Sequence, residues 1–162
     1  MALNPLEKHD YYMNLALKQA NRSLALAEVP VGAVVVDKDG NIIGRGRNQP
    51  EKRKCQVAHA EIVAISQACK KIGDWRLEGC SLYVSLEPCV MCFGLIKLSR
   101  IKMLVYGASS PLFGFSNYLS DSIVKKMDTM IISGLKEEPS IAMLKMFFKQ
   151  ARNKGKGYEK EY

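Results

Sequence analysis

The sequence has no apolar run that approaches the roughly 18 to 20 residues needed for a membrane-spanning helix. Its first residues, Met1 to Pro5, lack the charged and apolar regions of a signal peptide. The five cysteines are odd in number and follow no regular framework, which argues against a disulfide scaffold and favours reduced thiols. These absences predict a protein that has no membrane association and stays in the cytoplasm.

Acidic residues are too few to balance the basic ones, since 16 stand against 24 and the net charge is +8. Half of this excess lies in residues 141–162, where six basic residues stand against two acidic ones. Another +4 lies between Arg45 and Gln56, with five basic residues against one acidic residue. Basic charge in two clusters favours a polyanionic partner, although charge alone leaves a solvated basic face as the alternative.

The length of 162 residues and the apolar content of 48% suit one domain with one core. We expect a single domain over 1–162, with a core over about 7–152 and a basic tail over 153–162. Hydrophobic periodicity and turn signals predict the following elements. Helices are expected over 7–26, 59–71, 89–98 and from about 139, and strands over 31–36, 42–43, 81–85, 103–106 and 130–132.

Helices that alternate with strands in this way predict a three-layer α/β/α architecture around a five-stranded mixed sheet. We expect the sheet to be mostly parallel, with the first two strands as an antiparallel hairpin. Residues 45–56 and 107–122 are polar or rich in Gly, Ser and Pro, which predicts loops.

The spacing of Cys89 and Cys92 brings both thiols to one face if a helix begins there. Pro88 suits the first position of that helix, and the positive helix end favours the thiolate form that binds metal. His59 is one of only two histidines, and the other, His9, is flanked by charges and expected to be exposed. One histidine and two cysteines leave a fourth zinc position open, as in catalytic zinc sites.

Glu61 follows His59 by two residues, so the two side chains can address one site only in the first turn of a helix. A carboxylate without a ligand role is free to act on water in the open position. The spacing leaves three alternatives: His59 as a hydrogen-bonded core histidine, Cys89 and Cys92 as inert packed thiols, or a structural zinc site closed by Cys55. Cys69 and Cys80 are separated from the site by most of a helix and a strand, so we expect both to be too distant.

The motif of His59-Ala60-Glu61 followed by Pro88-Cys89-Val90-Met91-Cys92 resembles the zinc-dependent cytidine/adenosine deaminase superfamily. The resemblance implies a cytidine-deaminase-like fold with one Zn²⁺ per subunit, held by His59, Cys89 and Cys92. It also implies hydrolytic deamination with Glu61 as the acid–base residue. Further segments, Glu28 to Ala33, Asn48 to Pro50 and Leu82 to Cys92, are similar to bacterial tRNA-specific adenosine deaminases.

Resemblance to that family implies conversion of the wobble adenosine of a tRNA anticodon stem-loop to inosine, with release of ammonia. It implies a homodimer, which agrees with the almost wholly apolar helix over 89–98. It also implies that Asn48 binds the flipped nucleotide beside Pro88 and Ala60, although Asn48 could also be a turn residue. The RNA backbone contacts expected from the basic clusters are Arg47, Lys52, Arg53, Lys54, Phe148, Lys149 and Arg152.

The match departs from the family at Ser109-Ser110, where relatives usually carry Arg-Asp, and this leaves the ribose contact open. Two alternative functions follow from the same residues. The first is a deaminase of a free base, nucleoside or nucleotide of the guanine or cytidine type, which has no use for basic clusters. The second is a non-catalytic, zinc-stabilised RNA-binding protein, which has no use for Glu61.

Overall fold

A computed structural model describes residues 4–153, which contain six α-helices, five β-strands and one 3-10 turn. In chain order these elements are α1 (Pro5–Leu24), β1 (Gly32–Val36), β2 (Ile42–Arg47), α2 (Pro50–Arg53), α3 (Ala60–Ile72), β3 (Ser81–Leu86), α4 (Val90–Leu98), β4 (Met103–Ala108), the 3-10 turn (Phe115–Asn117), α5 (Asp121–Lys125), β5 (Met130–Ile132) and α6 (Glu137–Asn153). None of these helices is long and apolar enough to cross a membrane.

The sheet has the strand order β2-β1-β3-β4-β5, which confirms the prediction of five strands in a mixed sheet. The β1–β2 hairpin is antiparallel as expected, and β3, β4 and β5 are parallel. The expectation of a mostly parallel sheet is confirmed too, because β2, β3, β4 and β5 run in one direction and, of the five described strands, β1 runs against them. The crossover through α3 joins β2 and β3, which run in the same direction but have β1 between them.

Alternating side chains of the central strands enter two separate cores, one on each face of the sheet. On one face, Val34 and Tyr83 pack with Met13 and Ala16 of α1. On the other face, the alternate positions of the same strands pack with α3 and α4. Helix α6 adds its own buried residues against the end of α1 and of β3. The predicted three-layer arrangement therefore agrees with the structure.

Two glycines of β2 allow α3 to lie unusually close to the sheet. A Cβ atom at Gly46 would collide with the carbonyl oxygen of Ala60, and one at Gly44 would collide with that of Ala64. Because these collisions involve helix backbone, a larger side chain would push α3 outward along its length. The first turn of α3, which carries the metal motif, is therefore held at a fixed height above β2.

The predicted loops contain more regular structure than polarity indicates. Strand β2 continues to Arg47, because the ladder with β1 reaches the pair formed by Gly32 and Arg47. Backbone hydrogen bonds between strands form regardless of the polarity of the exposed side chains on an edge strand. The basic residues of this segment therefore led to the wrong prediction of a loop from residue 45. Helix α2 follows within the predicted 45–56 loop, and the 107–122 segment contains the end of β4 and the 3-10 turn.

Candidate metal centre and active site

Two helix N-termini meet at the predicted metal site. His59 is the N-cap of α3 and Cys89 is the N-cap of α4, both with extended backbone angles. The carbonyl oxygen of Cys89 already accepts the first helical hydrogen bond, from the N–H of Phe93 at 2.9 Å. The expectation that Pro88 occupies the first helical position is therefore wrong, because Pro88 precedes the N-cap and lies outside the helix.

The three predicted ligand atoms converge on one point. Nδ1 of His59 lies 3.7 Å from Sγ of Cys89 and 3.5 Å from Sγ of Cys92. All three ligand atoms lie within 4.8 Å of one another. Zinc–nitrogen and zinc–sulfur bonds of about 2.1 and 2.3 Å at a tetrahedral angle separate nitrogen from sulfur by about 3.6 Å. The donor set and its spacing therefore fit a zinc ion.

The other cysteines do not join this cluster among residues 4–153. Cys55 is exposed in the segment before His59, Cys69 lies near the far end of α3, and Cys80 is buried before β3. A structural zinc site closed by a fourth cysteine therefore finds no support in the described residues. The geometry has three protein ligands, as catalytic zinc sites have.

Hydrogen bonds within the cluster favour a thiolate on Cys89. The pKa of Cys89 is lowered to about 4, chiefly by the hydrogen bond from the Cys92 thiol and also by the bond to His59, against the opposing effect of burial. The hydrogen bond to Cys89 raises the pKa of His59 above its usual value, against the effect of burial. The thiolate is the form of cysteine that binds metal, so Cys89 already favours its ligand form.

Glu61 lies in the first turn of α3, as its spacing from His59 required. Its side chain is only 4% exposed, and burial raises the pKa of its carboxyl. A hydrogen bond links the carboxyl to the Cys92 thiol. A buried carboxyl beside a metal cluster, with its pKa raised by that burial, is suited to accept and release protons during a reaction.

The backbone around Asn48 is fixed by three hydrogen bonds. The N–H of Asn48 donates to the carbonyl of Val31 at 3.0 Å, and its own carbonyl accepts from the Ser23 hydroxyl at 3.0 Å. The N–H of Gln49 donates to the carbonyl of Ala58, next to His59, at 3.0 Å. These bonds occupy the backbone, and within the described residues no protein hydrogen bond uses the side-chain amide of Asn48.

Glu28 is a structural residue of this site that the sequence did not single out. From the sequence it was named only as the start of a segment that resembles the family, but its side chain is 2% exposed and reaches α2. Its carboxylate accepts from the N–H groups of Lys52 at 2.7 Å and Glu51 at 3.2 Å. Glu28 therefore stabilises the N-terminus of α2. The available signal was a carboxylate within an otherwise apolar segment.

The predicted RNA-contact residues near α2 differ in exposure. Lys52, Arg53 and Lys54 are exposed, and Nε of Arg53 donates to the side chain of Gln49 at 3.2 Å. Arg47 is half-buried, and its Nε is buried without a hydrogen-bond partner in the described part of the chain. Three exposed cationic side chains can therefore reach a ligand from the short helix α2 and its C-cap, although Arg53 bonds Gln49 and Lys54 lies 4.0 Å from a Glu51 carboxylate oxygen.

The predicted contacts on α6 are less uniform. Lys149 is exposed, and Arg152 is half-buried with Nη1 lacking a partner among residues 4–153. Phe148 is only 5% exposed and packs with Phe147 and Leu144 in a core cluster. Its selection as an RNA contact is wrong for this conformation, because an aromatic ring at helical spacing served the core. Most of the predicted tail, 154–162, lies outside the described residues.

Comparison with known families supports this description of the site. The profile of the cytidine and deoxycytidylate deaminase zinc-binding region matches residues 6–108, which include all three cluster residues. The chain belongs to this family. It is 40% identical over 158 residues to the tRNA-specific adenosine deaminase of Bacillus subtilis (strain 168), and the match covers 96% of this chain and 98% of that protein.

Solved structures of deaminases that act on different substrates have the same fold. A structure from a study of A-to-I editing by tRNA:A34 deaminases at the wobble position of transfer RNA has a TM-score of 0.75 and 39% identity, covering 83% of this chain and 99% of that chain. The guanine deaminase of Nitrosomonas europaea has a TM-score of 0.79 and 26% identity, covering 91% and 86%. Similarity of the fold alone therefore does not distinguish a tRNA substrate from a free base.

Proposed function

We propose that this protein is a zinc-dependent hydrolase that converts adenosine to inosine at the wobble position of a tRNA anticodon and releases ammonia. The observation that carries this proposal is the cluster of His59, Cys89 and Cys92 with the buried carboxyl of Glu61 beside it. The relative from Bacillus subtilis supports the choice of tRNA because the match extends over nearly the full length of both chains.

One zinc ion per chain would be held by Nδ1 of His59 and the sulfur atoms of Cys89 and Cys92. Zinc, when bound, supplies a nucleophile near neutral pH by lowering the pKa of water. Glu61 takes a proton at its carboxylate, delivers it to the ring nitrogen next to the reacting carbon, and then assists departure of the amine. Its burial beside Cys92 keeps bulk water from competing for that proton.

The target base is bound by groups that surround the cluster. Asn48 offers a side-chain amide on a fixed backbone, with one acceptor and two donors for a purine edge or a ribose. Pro88 is buried directly before Cys89, and Ala60 is buried directly after His59. We assign to these two small apolar surfaces the floor of the base pocket. A duplex or stacked base cannot reach such a site, so the nucleotide is flipped out.

The exposed cations on α2 favour RNA over a free base. Lys52, Arg53 and Lys54 follow Asn48 within six residues and are all exposed. A free guanine or cytidine carries no chain of phosphates for these side chains to contact, whereas an anticodon loop does. A non-catalytic RNA-binding role gives no reason for a buried carboxyl at Glu61, because a structural zinc site needs no acid–base group beside its ligands.

We also propose that the protein is a homodimer through the face that carries α4. Val90, Met91 and Leu98 are 39%, 40% and 71% exposed, although α4 is apolar almost all round. A groove of about 940 Å³ lies alongside, between α3, α4 and residues 127–129. An exposed apolar helix face of this kind is typical of protein–protein interfaces.

The proposal is tested with a purified, zinc-loaded protein and three substrates. An anticodon stem-loop RNA with adenosine at the wobble position is compared with free adenosine and free guanine, and products are identified by nuclease digestion and mass spectrometry. We expect inosine from the stem-loop only. A second stem-loop, with the adenosine moved into the paired stem, serves as the control. Faster conversion of guanine than of the stem-loop adenosine would replace our proposal with the free-base function.

A further inference from the structure

Glu87 holds both ends of one loop near the metal cluster. Its side chain is 4% exposed, and its carboxylate Oε2 accepts from the N–H of Ser110 at 3.0 Å. The other oxygen, Oε1, accepts from the N–H of Ser116 at 3.0 Å. We call residues 110–116 the clamped loop. One buried carboxylate therefore fixes the separation of the two ends of this loop, because each of its oxygen atoms accepts a hydrogen bond from a different end.

The clamped loop lies directly against the metal-ligand segment. The N–H of Phe115 donates to the carbonyl of Pro88 at 2.9 Å, and Gly114 forms an antiparallel bridge with Cys89. A Cβ atom at Gly114 would collide with the Glu87 carboxylate. The backbone angles of Gly114, φ −58° and ψ 139°, are open to any residue, so space alone requires a glycine there.

The clamped loop presents one large aromatic ring to solvent. Phe115 is buried and stacks on Phe93 with ring centroids 3.9 Å apart, which anchors the loop. Phe113, two residues earlier, is 61% exposed. It stands one residue from the bridge to the metal ligand Cys89, on a backbone that is already ordered. Ordering such a ring on a ligand therefore costs little conformational entropy.

We propose that Glu87 is a positioning residue for RNA, which fixes the clamped loop so that Phe113 stacks on a base beside the target nucleotide. The inference rests on the proposed tRNA function. Flipping a nucleotide unstacks its neighbours, and an aromatic side chain at the rim of the site replaces the lost stacking. Stacking of one base on an aromatic ring changes affinity by about 5- to 150-fold.

The test measures kcat, KM and zinc content on the stem-loop RNA for Phe113→Ala, Glu87→Gln and the double variant. Glutamine keeps the shape but has one acceptor oxygen, so one end of the clamped loop is released. We expect each single variant to raise KM about fivefold or more, with kcat within about threefold and zinc unchanged. If both act through one contact, the double variant raises KM no more than the larger single effect.

Glu28→Gln is the matched control, because Glu28 is also a buried carboxylate that accepts two backbone N–H groups, but on α2. When Glu28→Gln is combined with Phe113→Ala, the fold increases in KM of the two single variants should multiply, because the two residues act independently. Gly114→Ala breaks the same clamp from the loop side and replaces Glu87→Gln if that variant does not fold. A normal KM for Phe113→Ala overturns the inference, as does multiplication of the Glu87→Gln and Phe113→Ala effects.

Two further outcomes separate the inference from its alternatives. If Phe113→Ala leaves KM unchanged but alters the oligomeric state in analytical ultracentrifugation, the ring covers a second copy of the chain and the inference is wrong. If the wild-type protein forms no inosine from the stem-loop, the proposed function fails and the inference fails with it. An active wild type with an unaffected Phe113→Ala variant removes the inference alone.

Discussion

Nδ1 of His59 lies 3.5 Å from Sγ of Cys92, although 33 residues separate them in the sequence. The fold creates this contact by beginning two helices at the same end of the sheet. Helix α3 follows the loop after β2, and α4 follows β3. Since β2 and β3 run in the same direction on either side of β1, their following helices start at the same edge. The metal centre is therefore a direct consequence of topology.

Replacing Cys89 by serine should remove zinc and destabilise the fold. A metal that binds only the folded state at about 1,000 times its dissociation constant contributes about 4 kcal/mol. In a domain of this size that corresponds to a fall in Tm of roughly 10 °C. Elemental analysis and thermal unfolding measure both effects. Cys55→Ser, at an exposed cysteine outside the cluster, is the control and should keep its zinc. A fully zinc-loaded Cys89→Ser protein would exclude Cys89 as a ligand.

Glu61→Gln should retain zinc and fold but lose turnover by about 10²- to 10⁴-fold, because an amide cannot carry the proton. Single-turnover inosine formation on the stem-loop RNA, at saturating enzyme, measures this loss apart from binding. Glu78→Gln is the control, since the side chain of Glu78 is 64% exposed and pairs with Arg100 at the surface. Near-normal single-turnover rates in Glu61→Gln would show that another group moves the proton.

The metal cluster could be predicted from the sequence because its signals are local. Each helix start is marked by the residues that cap it, and spacing within a turn sets which side chains share a face. Glu28 and Glu87 could not be found in this way. Each carboxylate accepts N–H groups that lie 23 to 29 residues away, in segments whose positions depend on the packed fold.

Polarity also misled the assignment of individual residues. His9 was expected to be exposed, but it is half-buried and its Nδ1 lies 2.8 Å from the hydroxyl of Tyr83 on β3. Phe148 was expected at the RNA, but it lies in the core. In both cases the outcome depends on the rotation of a helix about its axis relative to its neighbours. The charges of neighbouring residues in the sequence do not predict which side of a helix faces the core.

Leu98→Asp should convert a dimer into monomers. A carboxylate placed on the apolar face of α4 would have to lose its hydration in the interface, which raises the dimer dissociation constant by about tenfold or more. Sedimentation velocity across a range of concentrations measures this shift. Leu6→Asp is the matched control, because Leu6 is 78% exposed but lies on α1 on the other face of the sheet. A wild-type protein that sediments as a monomer would contradict the proposed dimer.

Removing the residues after Arg152 should weaken binding to the anticodon stem-loop and reduce its dependence on salt. The removed segment contains Lys154, Lys156 and Lys160, whose charges release counterions when they contact phosphates. Zinc content and the single-turnover rate at saturating enzyme should stay within about twofold of the full chain. Fluorescence anisotropy between low and moderate salt measures the slope. If the affinity and the salt slope did not change, the tail would not contribute to RNA binding, and the case for binding would depend on the cations of α2 alone.

Replacing Lys52 and Lys54 by glutamine should weaken RNA binding at low salt and lower the salt slope by up to about 0.7 per lysine that neutralises a phosphate. Both side chains are exposed on the turn that Glu28 holds beside Asn48, so they approach the strand that enters the site. The matched control is Lys38→Gln with Lys70→Gln, which removes the same charge from exposed positions at the opposite end of the sheet. A phosphate contact requires a cation at a particular position, whereas a diffuse electrostatic field depends only on the total charge of the protein. If both double variants lost affinity equally, net charge rather than the position of the lysines would therefore govern RNA binding.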